Sequence, residues 1–154
     1  MQPKNIRGTT LVHFNGKRVL ICEDNQLIAV GWAMILMDAG YEVVGPVSSA
    51  EKALEAAYAH APDLALIDIS LNGMIDGISV AAELAPLGIP VVFATGSYQR
   101  AAEEGREFAA DILIKPVKPA TLVNAVASVL EKHQVERHWP PSAVWTRCQC
   151  RLRT

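Results

Sequence analysis

Neither sign of charge is in large excess in this chain. Fourteen Lys and Arg stand against sixteen Asp and Glu in 154 residues, for a formal charge of −2. That balance creates no basic field of the kind that attracts nucleic acid, so DNA is not an expected partner. Long apolar runs are missing too. The longest, Leu27 to Met37, has 11 residues, short of the ~20 that a bilayer-crossing helix needs. No membrane segment is therefore expected. The first twenty residues hold no apolar stretch followed by a small-residue cleavage site, so no signal peptide is expected either. Cysteine is rare and odd in number: Cys22, Cys148 and Cys150. A disulfide framework is not expected on that count, and a reducing cytoplasm is the expected compartment.

What is present is a core-forming composition. Hydrophobic residues make up 51% and charged residues 19%, enough for one packed domain of ordinary size. Residues 1–16 show no sustained period and read as an N-terminal arm. From Lys17 a regular alternation begins. Short β-branched or aliphatic runs fall at Arg18–Cys22, Glu42–Val47, Leu64–Ile67, Val91–Ala94 and Ile112–Ile114. Helical segments are expected between and after them, at Gln26–Ala39, Ala50–His60, Gly77–Ala85, Tyr98–Phe108 and Ala120–His133. Ser49 is a good N-cap for the second helix, Gly40 a good stop for the first, and Pro62 and Pro90 each precede a strand. The strands are nearly continuous apolar runs, the pattern of a parallel sheet covered on both faces. Five such units predict an α/β, flavodoxin-like, doubly wound five-stranded parallel sheet of order 2-1-3-4-5 over residues 17–133. Residues 134–154 are too few for a second core and read as a C-terminal tail. Cys148-x-Cys150 matches no common zinc spacing.

Ligands of an open parallel sheet sit beyond the C-terminal ends of its strands. Those ends carry Glu23 and Asp24 after strand one, Asp68 after strand three, Thr95 after strand four and Lys115 after strand five. Three carboxylates, a hydroxyl and an amine thus converge on one rim. Crowded carboxylates repel unless a cation is present, and an all-oxygen cluster suits a hard ion such as Mg²⁺. Read one at a time, Asp68 is an ordinary strand-end carboxylate, and Glu23 and Asp24 can cap the first helix. It is the set of five that points to chemistry.

The stretches Val19-Leu20-Ile21-Cys22-Glu23-Asp24, Leu64-Ala65-Leu66-Ile67-Asp68, Phe93-Ala94-Thr95-Gly96 and Ile114-Lys115-Pro116 together resemble the response-regulator receiver family, from Lys17 to about His133. The phrase Pro90-Val91-Val92-Phe93-Ala94-Thr95-Gly96-Ser97 looks like its FATGUY subfamily of stand-alone receivers, known from alphaproteobacteria. The resemblance implies a CheY-like fold and a phosphorylation-controlled protein–protein switch. In that reading Asp68 accepts a phosphoryl group from a sensor histidine kinase or a histidine phosphotransfer protein. Glu23, Asp24, Asp68 and the backbone carbonyl of Ser70 would hold Mg²⁺. Lys115 would supply a second positive charge, and the Thr95 hydroxyl would sense the phosphoryl group. No enzymatic activity is implied beyond the protein's own aspartyl phosphorylation and dephosphorylation. Lys115-Pro116 is a candidate cis peptide.

The chain departs from the family at the position three residues before Lys115, where Ile112 replaces the usual aromatic. The alternative function is a receiver-like scaffold that binds partners without phosphorylation. A flavodoxin-type cofactor binder fits less well, since no glycine-rich loop follows strand one. The first helix is unusual in its own right. Ile28, Gly31, Trp32, Ile35 and Ala39 form one apolar stripe expected to face the sheet, and Val30, Ala33, Met34 and Met37 form a second. That second stripe is a candidate docking face, for a homodimer or for the kinase's helical phosphotransfer domain, or else a face that the tail covers by laying Trp139, Val144 and Trp145 over Met34 and Met37.

Overall fold

The structure, a computed structural model, describes residues 16–138. The apolar runs become five parallel strands: β1 (Arg18–Cys22), β2 (Glu42–Val47), β3 (Leu64–Asp68), β4 (Val91–Thr95) and β5 (Ala109–Ile114). They form one sheet in the order 2-1-3-4-5, as expected from the pattern. Consecutive residues of a strand point to opposite faces. Val19 and Ile21 therefore join one buried cluster with α1 (Gln26–Asp38) and α5 (Pro119–His138), while Leu20 and Cys22 join another beneath α2 (Ala50–His60) and α3 (Gly77–Leu84). The central strands β3 and β4 are buried along their whole length. This is why they read as unbroken apolar runs.

The helix punctuation follows local chemistry. The Ser49 hydroxyl accepts the Lys52 N–H at 3.3 Å and caps α2. α1 ends at Asp38 with Ala39 as its cap, and the chain turns at Gly40, whose φ of +94° suits a residue without a side chain. The Gly40 N–H then donates to Met37 and the Tyr41 N–H to Leu36. Between β1 and β2 the register slips around Gly45-Pro46, a cis peptide like Lys115-Pro116.

Four expectations are corrected. β5 begins at Ala109, three residues before the apolar run, because Ala109 to Asp111 pair along the sheet edge next to β4 without being buried there. α5 continues to His138, five residues past the end of its apolar period, since backbone bonding does not stop where burial does. The arm and tail, apart from Gly16 and residues 134–138, lie outside the described residues, as do Cys148 and Cys150.

The third correction is the fourth helix. Only Tyr98–Arg100 is α-helical, here α4, and Ala101–Gly105 continues as a π-helical turn. Its buried residues are small, Ala101 and Gly105. A Cβ at Gly105 would stand 3.1 Å from the Phe93 ring, so this glycine lets the turn lie close against β4.

The fourth is the phase of α1. Its buried face is Ala29, Trp32, Ala33 and Leu36, one residue round from the expected stripe. Ile28, Gly31 and Ile35 are only partly covered, and Ala39 is exposed. Ala33, expected outside, is buried. In a helix that is apolar almost throughout, periodicity has too little contrast to choose a face. Val30, Met34 and Met37 are exposed as expected, at 46%, 58% and 53%, together with Leu27 at 85%.

Candidate functional site

Each element delivers its polar residue to the same end of the sheet. Glu23 follows β1, and its N–H is fixed by the Val47 carbonyl at 3.0 Å. Asp68 is the last residue of β3 and lies opposite Ala94 of β4. Lys115 follows β5, with its N–H on the Thr95 carbonyl at 2.9 Å. The rim is thus held by backbone pairing before any side chain interacts.

The side chains meet directly. The Lys115 ammonium donates to Glu23 Oε2 at 2.5 Å and to Asp68 Oδ2 at 3.0 Å. Asp68 Oδ1 accepts the Ser70 N–H at 3.0 Å. Glu23 Oε1 accepts the Asn25 N–H at 2.9 Å. Neither Glu23 nor Asp24 caps α1. Asn25 does, with its side-chain oxygen accepting from Leu27 and Ile28. One oxygen each of Glu23, Asp24 and Asp68 lies within 4.8 Å of the others. Thr95 is buried on the adjoining strand end, but its hydroxyl is turned to Ser97: it accepts that N–H at 3.0 Å and donates weakly to that carbonyl at 3.5 Å. Four predicted residues are therefore gathered into one cluster, with Thr95 beside it. Ser70 is the next exposed residue along the chain.

Glu23 and Asp68 are only 2% and 4% exposed, so their charges are poorly solvated. Burial pushes the Glu23 carboxyl up from its usual range, with the Lys115 and Asn25 hydrogen bonds opposing it. Burial acts to lower Lys115, but its bonds to Glu23 and Asp68 and its attraction to both outweigh that, and the ammonium titrates above an ordinary lysine. Three carboxylates against one ammonium leave the rim negative. The donor set is all oxygen, the ligand type that a small hard cation takes. The residues present therefore fit Mg²⁺.

Sequence reasoning missed the neighbouring loop. Asp76 caps α3 by accepting the Ser79 N–H and hydroxyl, both at 3.0 Å, and it also pairs with Arg100 of α4. Arg100 lies 3.5 Å from Glu104 as well. The Asp-x-x-Ser spacing before the third helix was the available signal for the cap. Gly77 follows, and a Cβ there would fall 2.2 Å from the Asp68 carbonyl oxygen. Ile112 is half-buried against the cluster beneath α2 and α3 and lines a shallow depression with Tyr98 and Arg106. Tyr98 is 58% exposed.

A family model described as the response regulator receiver domain matches residues 19–127. The chain is 38% identical over 113 residues to the transcriptional regulatory protein PdtaR of Mycobacterium tuberculosis, covering 71% of this chain and 55% of that one. It thus spans about half the length of that relative. It is 32% identical over 117 residues to the chemotaxis protein CheY of Thermotoga maritima, covering 74% of this chain and 98% of CheY. Among solved structures, the signal receiver domain of a modulated diguanylate cyclase from Desulfovibrio desulfuricans superposes with a TM-score of 0.74 at 33% identity, over 79% of this chain and 99% of that one.

Proposed function

The chain belongs to the response regulator receiver family, which accepts phosphoryl groups in two-component signalling, and from that premise we propose that Asp68 is the acceptor. The observation that carries the assignment is the direct contact of Lys115 with both Glu23 and Asp68 at one strand-end rim. In the reaction an Asp68 carboxylate oxygen forms a bond to phosphorus as the N–P bond of a phosphohistidine breaks. The electron pair of that bond returns to the imidazole, and an acyl phosphate is left on Asp68. Hydrolysis by water later restores the carboxylate and releases inorganic phosphate.

Glu23, Asp24, Asp68 and the Ser70 carbonyl would hold Mg²⁺, which supplies charge neutralisation for the phosphoryl oxygens when bound. The Lys115 ammonium, bonded to Asp68 Oδ2, adds positive charge beside the acceptor. The Thr95 hydroxyl can redirect its proton, because its donation to Ser97 at 3.5 Å is weak. It would then bond a phosphoryl oxygen and register phosphorylation. We assign no other catalytic activity to the protein.

The donors would be a sensor histidine kinase or a histidine phosphotransfer protein, and output would pass through protein contacts. The exposed Leu27, Val30, Met34 and Met37 repeat every three or four residues along α1, which suits a helical partner: a second copy, or a phosphotransfer helix. The scaffold alternative, binding without phosphorylation, has no use for three crowded carboxylates facing one ammonium. Asp68→Asn keeps the shape of the side chain and removes the nucleophile. Incubated with Mg²⁺ and acetyl phosphate, the wild type should gain one phosphate by intact mass and the variant none. Labelling of the variant at the wild-type rate would falsify the assignment.

A further inference from the structure

We propose that Trp32 is a positioning residue for phosphoryl transfer and acts through Lys115. The inference rests on the reading above, in which Asp68 accepts the phosphoryl group and Lys115 opposes it. The Lys115 Nζ lies 5.3 Å from the centroid of the Trp32 ring, inside the ~6 Å reach of a cation–π attraction, for which indole is the best partner. Trp32 is 4% exposed and the Lys115 side chain 19%, so little water screens the contact. The ammonium has three donor directions. Glu23 and Asp68 accept from it, and the indole approaches it from α1. The ring is fixed by the packing of Trp32, Ala33 and Leu36 in the cluster they share with Val19 and Ile21 of the sheet.

The ring matters because the reaction alters both carboxylates that hold Lys115. Asp68 gives one of its oxygens to phosphorus. Glu23 and Asp68 are also the residues that would share a divalent cation, and a carboxylate engaged elsewhere holds an ammonium less tightly. An uncharged aromatic face is changed by neither event. It keeps a flexible four-carbon side chain over the rim when its ionic tethers slacken. A core-filling role alone would depend on the volume of the indole and not on its charge distribution.

Fluorinated tryptophan separates these roles, since ring fluorine drains the negative face while leaving the shape nearly unchanged. The full chain would carry Trp139→Phe and Trp145→Phe, so that Trp32 is the sole indole, and would be produced with progressively fluorinated tryptophan. Phosphorylation by acetyl phosphate with Mg²⁺ should slow stepwise along the series, by about fivefold in total, at a temperature where circular dichroism shows every member fully folded. A flat series overturns the proposal. Lys115→Met keeps most of the stem and removes the charge, and it should shift the Trp32 fluorescence of this single-tryptophan chain. An unchanged emission would mean that the ammonium does not sit on the ring, and that also overturns it. A chain that takes no phosphate at all overturns the Asp68 reading, and the role of Trp32 with it, even where the emission shift shows the contact to be present.

Discussion

Two glycine-to-alanine changes should move stability in opposite directions, for reasons visible only in three dimensions. Gly77 opens α3 immediately after its Asp76 cap. An alanine Cβ there would lie 2.2 Å from the Asp68 carbonyl oxygen, 2.9 Å from Ile67 Cγ2 and 2.9 Å from Ile69 Cα. Two of those three atoms are main chain, so no side-chain rotation relieves the overlap. Either the start of α3 or the end of β3 must retreat by roughly an ångström to restore ordinary contact. Overpacking of this kind costs about 1–3 kcal/mol, and a backbone clash belongs at the upper end. For a domain of this size that is a fall of roughly 10 °C in melting temperature. Gly31 lies in the middle of α1, and a Cβ there meets nothing within 4 Å. Alanine at that site should add about 0.5–1 kcal/mol by removing the glycine penalty of a helix interior. Reversible thermal melts by circular dichroism, supported by urea titration, measure both. Because the Gly77 clash falls on the main chain of Asp68, its variant should also accept phosphate more slowly at temperatures where it is fully folded. A Gly77→Ala melt within experimental error of wild type, or a lower melt for Gly31→Ala, would refute the packing argument.

Asp76→Ala should lower stability by about 1 kcal/mol at neutral pH through the lost cap. Burial acts to raise the Asp76 pKa, but Ser79 and Arg100 outweigh it and hold it below the usual aspartate value. Its contribution is therefore complete above about pH 4 and is lost as acid titrates the folded carboxylate; a gap between variant and wild type that widens in acid contradicts this. Burial first, then the Asp68 and Glu23 charges, push the Cys22 thiol up to about 12. Iodoacetamide at mildly alkaline pH should thus leave Cys22 unmodified until the protein unfolds, as peptide mass spectrometry would show, and equal labelling in native and denatured samples argues the reverse. Glu23→Gln with Asp24→Asn should weaken Mg²⁺ binding by about tenfold or more, since two of the three rim charges are gone; an unchanged titration removes these residues from the site. Met34→Glu with Met37→Lys should impair self-association or phosphotransfer from a kinase, read by sedimentation and transfer kinetics. If neither changes, the exposed face of α1 is not a docking surface.

The five strand–helix units and the rim were legible in the sequence because both depend on short-range patterns, whereas the strand order came with the choice of a flavodoxin-like fold for those units. Continuous apolar runs at 64–67 and 91–94, short and each preceded by a proline, read as strands buried on both faces, and polar residues that end parallel strands emerge at one edge. Glu23, Asp68 and Lys115 could be assigned to a common rim with no knowledge of packing, although Lys115 is separated from Glu23 by 92 positions. Capping was equally local at Ser49, where one hydroxyl and one N–H three residues on suffice. Tertiary structure alone decided the rest. The phase of α1 was undetermined because its residues are apolar on almost every side, and only the fit of Trp32 and Leu36 against the sheet selects the buried face. The π-turn at Ala101–Gly105 and the starting point of β5 reflect how closely backbone approaches Phe93 and how β4 pairs at the sheet edge, and neither leaves a periodic trace. The meeting of Trp32 with Lys115, and of Asp76 with Arg100, joins residues from elements that become neighbours only after folding. Periodicity records which residues avoid water, whereas these contacts are set by which surfaces meet.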